Sequence, residues 1–211
     1  MNRSWCFIIP YRDREDHLKR FVDHYGPIFP NTPIIIVEQQ ANTPFNRAKL
    51  FNVGFLEYGR YYDWAAYHDV DMYVYPDYTH RYDYPEMPTH IATRCEQFDY
   101  KQPYEEYSGG VILINKEQME TSNGFSNLFW GRNAEDDDMR NNLNNNGFSV
   151  EHKVCFFNCA DHERNYDPKL LKRNLSYLKQ GRIKGDGLTT CHYKVNSREQ
   201  KEGYTLLKVN I

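Results

Sequence analysis

The chain has 211 residues, enough for one domain with a sizeable core. Its formal net charge of −3 excludes a strongly basic surface, and with it a nucleic-acid partner held by bulk charge. The longest aliphatic run, Ile34-Ile35-Ile36-Val37, is far too short for a membrane span.

From the N-terminus, Cys6-Phe7-Ile8-Ile9 reads as a buried first strand ended by Pro10. A helix follows, capped by Asp13 or Asp16, with Leu18, Phe21 and Val22 on one face. Pro33 to Val37 is a second buried strand. Thr43-Pro44 then opens a helix whose apolar stripe is Leu50, Val53 and Leu56. A third strand ends in Asp69-Val70-Asp71. This β-α-β-α-β order predicts an α/β domain around a mostly parallel sheet with right-handed crossovers.

Ligands of such sheets sit beyond the carboxyl ends of the strands, where Pro10-Tyr11-Arg12 and Asp69-Val70-Asp71 both fall. The stretch between Asp77 and Tyr107 is rich in proline and tyrosine and reads as loop. Gly109-Gly110-Val111-Ile112-Leu113-Ile114 is a fourth strand, its glycines allowing close backbone approach to a ligand. Glu135 onward is helical, with Met139 and Leu143 at helical spacing and Gly147 as its stop. The tail from Tyr204 to Ile211 alternates like a terminal strand. No repeat or linker divides residues 1–211, and 165–184 carry no readable motif.

Two acidic clusters carry the chemistry. Glu135-Asp136-Asp137-Asp138 repels itself, so it gains by binding a cation, a proton or a sugar hydroxyl. Asp71 at a strand mouth suits a divalent ion bridging the phosphates of a nucleotide sugar. Arg12, Arg14 and Arg47 supply cationic donors for the same diphosphate. Asp136, or a neighbour in its cluster, suits a base that takes the proton of an acceptor hydroxyl. A metal-bound leaving group facing a base amounts to one in-line displacement with inversion. Each piece alone has a bland reading: a solvated D-x-D loop, or acids that complement a helix dipole. Their meeting at one sheet edge is what favours an enzyme.

The cysteines (Cys6, Cys95, Cys155, Cys159 and Cys191) form no CxxC pair and point to a reducing, cytosolic-type compartment. No charged-apolar-small leader follows Met1, so a soluble protein is expected.

The chain resembles the β-1,4-galactosyltransferase family, inverting enzymes of the GT-A fold, in order from about Phe7 to Ile211. The resemblance rests on Ile9-Pro10-Tyr11-Arg12-Asp13-Arg14, on Phe45-Asn46-Arg47-Ala48-Lys49-Leu50-Phe51-Asn52-Val53-Gly54-Phe55, on Asp69-Val70-Asp71, and on Tyr104 to Gly110. Asn123-Gly124-Phe125, Trp130-Gly131 with Glu135 to Asp138, and Asp186-Gly187-Leu188 complete it. It implies one GT-A domain, a UDP-sugar donor, a glycan or glycoconjugate acceptor and Mn²⁺.

Pro10, Arg12, Arg14, Phe45 and Arg47 fall where the family holds uridine and diphosphate. Asp69, Val70, Tyr107, Gly109, Gly110 and Trp130 fall around the rest of the donor. Tyr107 sits where a tyrosine favours galactose over N-acetylgalactosamine. Glu135 and Asp136 correspond to the catalytic pair, with Asp136 as base. Tyr104, Arg132, Asp136 and Asp137 would meet the acceptor, and Asp71, His162 and Cys159 the metal. Arg132 stands where the family usually has a mobile tryptophan, and Cys159 where many members have methionine. A thiol matches a hard ion poorly. The alternatives are the same fold using UDP-N-acetylgalactosamine or UDP-glucose, or a binding module with impaired catalysis. The family's membrane anchor and stem are not in this sequence, which suggests a bacterial or viral soluble enzyme.

Overall fold

The computed structural model describes residues 3–40, 42–131, 133–161 and 167–211. Strand β1 (Trp5–Tyr11) is buried along nearly its whole length and pairs in parallel with β2 (Ile34–Gln39) and β3 (Trp64–His68). β11 (Tyr204–Asn210) adds in parallel on the other side of β2. Four adjacent parallel strands thus form the centre of the sheet. Continuous apolar runs suit this position, because helices cover both faces.

Antiparallel pairs extend it on both sides. β10 (Lys194–Lys201) makes a hairpin with β11, and β7 (Val111–Asn115) runs against β3. The short β5 (Thr89–His90) and β8 (Glu151–His152) follow, giving the order β10-β11-β2-β1-β3-β7-β5-β8. A second, three-stranded sheet is built from β4 (Met72–Val74), β9 (Phe156–Cys159) and β6 (Arg94–Cys95), in the order β4-β9-β6.

Helix α1 (Glu15–Ile28) packs Leu18, Phe21 and Tyr25 against Phe7 and Ile9 on one face of the sheet. Helix α2 (Arg47–Glu57) packs Leu50, Phe51, Val53 and Phe55 against Cys6 and Ile8 on the other. The second face also receives Met119 of α3 (Lys116–Thr121), and Met139 and Leu143 of α4 (Glu135–Asn145). α5 (Pro168–Gln180) lies beyond α4 and buries only Asn174.

Several boundaries differ from the sequence reading. Pro10 does not end β1; the strand runs through it to Tyr11, with Pro10 opposite Val37. Neither Asp13 nor Asp16 caps α1: the cap position is Arg14, which makes no side-chain cap bond, while Glu15 and Asp16 sit in the first turn near the positive end of the helix dipole. α2 starts after Asn46 rather than at Thr43-Pro44, because the Asn46 side chain accepts the Lys49 N–H at 2.9 Å. The fourth strand begins at Val111, since Gly110 takes a left-handed φ of 83°. α5 is an additional element in the stretch 165–184 where no motif was legible, and β10 is a further strand ahead of the expected terminal one.

Gly54 is where α2 touches the sheet. A Cβ there would overlap Ile8 Cγ2 and meet Val37 Cγ2 at 3.0 Å. Gly54→Ala is expected to cost about 1–3 kcal/mol through forced separation of helix and sheet. Urea unfolding followed by circular dichroism reads this directly, and an unchanged midpoint would show that the helix can shift freely.

Candidate active site

Three loops at the carboxyl edge of the parallel strands meet the start of α4. β3 ends at His68, and Asp69 and Asp71 lie in the turn to β4. His68 holds that turn from inside. Its Nδ1 bonds the Asp69 carbonyl at 2.7 Å, which makes Nδ1–H the donor, so Nε2 accepts from the Tyr82 hydroxyl at 2.8 Å. Burial pushes the proton affinity of His68 down, to about 3, so the ring stays neutral and this pattern persists. On the other side of the turn, the Asp69 N–H donates to the Gly110 carbonyl at 3.0 Å.

Arg47, in the first turn of α2, joins this turn to α4. Its Nε lies 2.5 Å from Asp69 Oδ1 and its Nη1 lies 2.6 Å from Asp136 Oδ1. Glu135 Oε1 is 3.7 Å from the same Nη1, and the guanidinium lies over the Phe51 ring at 4.6 Å. Asp69 and Asp136 are thus neighbours through one cation. Burial, then the charge of Asp136, raises the proton affinity of Glu135; burial raises that of Asp69 against the pull of Arg47.

Around this centre, Tyr104 donates its hydroxyl to Asp137 Oδ1 at 2.9 Å, and Arg140 reaches the same oxygen at 3.0 Å. A Cβ on Gly109 would meet the Tyr107 hydroxyl at 2.5 Å and Asp136 Oδ2 at 2.9 Å, so both side chains lean over that glycine. A Cβ on Gly110 would meet Met72 Sδ at 2.5 Å. A Cβ at either glycine would push these side chains aside, and Gly110 in addition takes a φ of 83°.

Pro10 is buried in β1, and Val70 is buried in the turn between the two aspartates. Arg12 Nη1 donates to the Thr43 carbonyl at 2.7 Å, with its guanidinium over the Phe45 ring at 5.4 Å. Arg14 pairs with Asp71 at 3.0 Å. Trp130 is half-buried, with the Lys49 ammonium 5.9 Å from its ring centre. The turn ahead of α4 is held by the Gly131 N–H on the Phe45 carbonyl at 2.7 Å and by Asn174 Nδ2 on the Trp130 carbonyl at 3.0 Å. Asn133 and Ala134 in that turn both have positive φ, 75° and 78°, a conformation that disfavours residues with a Cβ. Arg132 and His162 lie outside the described residues.

The expected metal ligands are only partly assembled here. Cys159 stands opposite Met72 in the β4–β9 pair, and the Ala160 N–H donates to the Asp71 carbonyl at 2.8 Å. Among the described residues no group of three His, Cys, Asp or Glu is arranged to hold an ion. The Asp71 carboxylate is a hard oxygen donor and fits Mn²⁺ as one ligand. The Cys159 thiol is soft and is in hydrogen-bond contact with Cys95, which makes it a poor second.

Sequence reasoning missed His68, His90, Tyr82 and Asn174, which hold the site from behind. No motif marks them, because each acts through a backbone carbonyl or a hydroxyl partner rather than on a ligand.

Residues 1–83 match the family model of the N-terminal region of glycosyl transferase group 7, and residues 89–163 match that of the N-terminal domain of galactosyltransferase. Mouse beta-1,4-galactosyltransferase 5 is 36% identical over 90% of this chain and 52% of its own length. Human beta-1,4-galactosyltransferase 1 is 32% identical over 98% of this chain and 54% of its own length. The chain therefore spans about half the length of these curated relatives.

The solved catalytic domain of Drosophila beta1,4galactosyltransferase 7, in complex with xylobiose, superposes with a TM-score of 0.84 over 99% of this chain and 94% of that one, at 24% identity. A mutant of the same Drosophila protein, in complex with manganese, UDP-Gal and xylobiose, gives a TM-score of 0.82 at 25% identity.

These relatives are animal proteins, which overturns the expectation of a cytoplasmic-type enzyme of bacterial or viral origin. That expectation leaned on segments not in this sequence, and the relatives are about twice as long as the chain. No helix among the described residues is long and apolar enough to cross a membrane. The motifs from Ile9 to Asp71 fall within the first matched family model and those from Tyr104 to Asp138 within the second, and the fold that carries them is the same; the chain belongs to the β-1,4-galactosyltransferase family, within glycosyltransferase group 7.

Proposed function

We propose that the chain is a single metal-dependent GT-A catalytic domain that transfers galactose, with inversion, from UDP-galactose to a sugar hydroxyl of a glycan or glycoconjugate. The observation that carries this reading is the Arg47 bridge. Asp69 and Asp136 are far apart in sequence, yet both lie within 2.6 Å of one guanidinium at the ligand edge of the sheet. The Drosophila structure with manganese and UDP-Gal supports the donor and metal classes.

In this reading the diphosphate lies over the loop after β1, where Arg12 and Arg14 offset its charge and Phe45 packs against the nucleoside. Asp71 would hold Mn²⁺, with His162 as a further ligand, and Mn²⁺ supplies Lewis-acid stabilisation of the departing diphosphate. Asp69 and Glu135 hold sugar hydroxyls, Trp130 borders the donor, and Tyr104 and Asp137 border the acceptor.

Asp136 Oδ2 faces Gly109, while Oδ1 is held by Arg47. The ion pair fixes the carboxylate's orientation before substrate arrives. Asp136 takes the proton from the acceptor hydroxyl as its oxygen bonds to the anomeric carbon. The bond from that carbon to the UDP oxygen breaks on the opposite face, and UDP carries away the electron pair.

The deciding assay measures UDP release from UDP-galactose with Mn²⁺ across a panel of sugar acceptors, xylosides and N-acetylglucosaminides included. Acceptor-dependent release that chelation with EDTA abolishes and Mn²⁺ restores is the expected result; release indifferent to EDTA would remove the metal from the reading.

Asp136→Asn is expected to lower kcat by 10²-fold or more, roughly the worth of a general base, while UDP-galactose binding by calorimetry stays near wild type. Full turnover in that variant would move the base elsewhere. Tyr107→Leu is expected to open the donor pocket, raising use of UDP-N-acetylgalactosamine relative to UDP-galactose, and competing-donor assays would show an unchanged ratio if Tyr107 does not touch the sugar.

A further inference from the structure

Gly109 is a pinch point at which the donor side and the base side of the site meet. The Tyr107 hydroxyl and Asp136 Oδ2 both crowd the place a Cβ would occupy, at 2.5 and 2.9 Å. The carbonyl of this same glycine accepts a hydrogen bond from His90 Nε2 at 2.8 Å. A carbonyl only accepts, so the proton of neutral His90 is on Nε2 and its Nδ1 is an acceptor. His152 Nδ1 lies 3.1 Å from it. The His90 ring also stands edge-on to Tyr107, with centroids 5.6 Å apart at 85°.

His90 is fully buried, and burial pushes its proton affinity down, to about 3, which keeps the ring neutral and the bonding pattern fixed. It owes its place to β5, a two-residue strand inserted between β7 and β8 with His90 opposite Ile112 on one side and His152 on the other. The strand is too short to add much to the sheet. What it does is deliver one imidazole behind Gly109.

We propose that His90 is a positioning residue for donor-sugar selection: its bond to the Gly109 carbonyl and its edge contact with Tyr107 set the gap between the Tyr107 hydroxyl and Asp136. His90 does not touch the sugar. It fixes the backbone over which the two groups that bound the sugar pocket converge, so the width of that pocket follows the imidazole. This rests on the roles of Tyr107 and Asp136 proposed above.

The test is the ratio of dissociation constants for UDP-N-acetylgalactosamine and UDP-galactose, measured by calorimetry with Mn²⁺ in the whole chain, with melting followed by circular dichroism as a check of folding. His90→Leu keeps bulk but removes the donor, and the ratio is expected to fall about tenfold, the effect of one unmade bond to a buried acceptor. His90→Gln returns an N–H donor and is expected to restore most of the preference, a rescue that a purely structural role does not predict. A folded His90→Leu with the wild-type ratio overturns the proposal, as does a His90→Gln no better than His90→Leu.

Should His90→Leu fail to fold, His152→Ala carries the test, since His152 is exposed and its Nδ1 touches both His90 Nδ1, at 3.1 Å, and the Gln102 amide nitrogen, at 3.3 Å. It is expected to lower the ratio in the same direction, and an unchanged ratio there also overturns the proposal. If the wild type binds neither donor, the galactosyltransferase reading falls and this inference falls with it. If Tyr107→Leu shifts the ratio while the His90 variants do not, the inference alone fails.

Discussion

One guanidinium organises this site. Arg47 meets Asp69 and Asp136 within 2.6 Å and has Glu135 at 3.7 Å, so three carboxylates from two distant segments share a largely buried cation. Without it, the turn after β3 and the start of α4 would present like charges to each other in a poorly solvated space, where repulsion is strong. The cation is in turn fixed by its place in the first turn of α2, by the Asn46 cap just before it, and by the Phe51 ring beneath it. The order of dependence runs from a helix cap to an arginine to the two acidic motifs.

Behind that charged layer lies a neutral one. His68 and His90 are both buried, both uncharged, and both bonded to a backbone carbonyl of the site: Asp69 in one case, Gly109 in the other. Between them the Asp69 N–H reaches the Gly110 carbonyl, so the two loops are tied directly as well. The backbone carbonyls of Asp69 and Gly109 are thus held from inside the protein by two neutral imidazoles. Rigidity of this kind is what keeps a carboxylate oriented without substrate present.

The central sheet was legible because β1, β2 and β3 are continuous apolar runs buried on both faces, with amphipathic α1 between the first pair. The motifs too were legible, being dense in charge and glycine and fixed in order. β10 was not, since its burial alternates only weakly along Lys194–Lys201 and it is an edge strand stabilised by pairing with β11. α5 carries Leu170, Leu171, Tyr177 and Leu178 at helical spacing, but these stay half-buried and the one fully buried residue is the polar Asn174, so its stripe does not point to the core or to the site it supports. The cap of α1 was misread because an aspartate near a helix start looks the same in sequence whether it caps or only complements the dipole. Long-range support by His68 and His90 is invisible for a different reason: it depends on register between strands, not on neighbours along the chain.

The turn ahead of α4 has an energetic property of its own. Asn133 and Ala134 hold φ values of 75° and 78°, and a residue such as alanine in that region carries roughly 1–2 kcal/mol of strain, while asparagine tolerates it better. Glycines there would be at ease in this arrangement and equally at ease in many others. With Asn133 and Ala134, the present arrangement is raised in energy while any conformer that returns both residues to negative φ is relieved of it. Sequence choice at these positions therefore sets the energy of the turn at the threshold of Glu135.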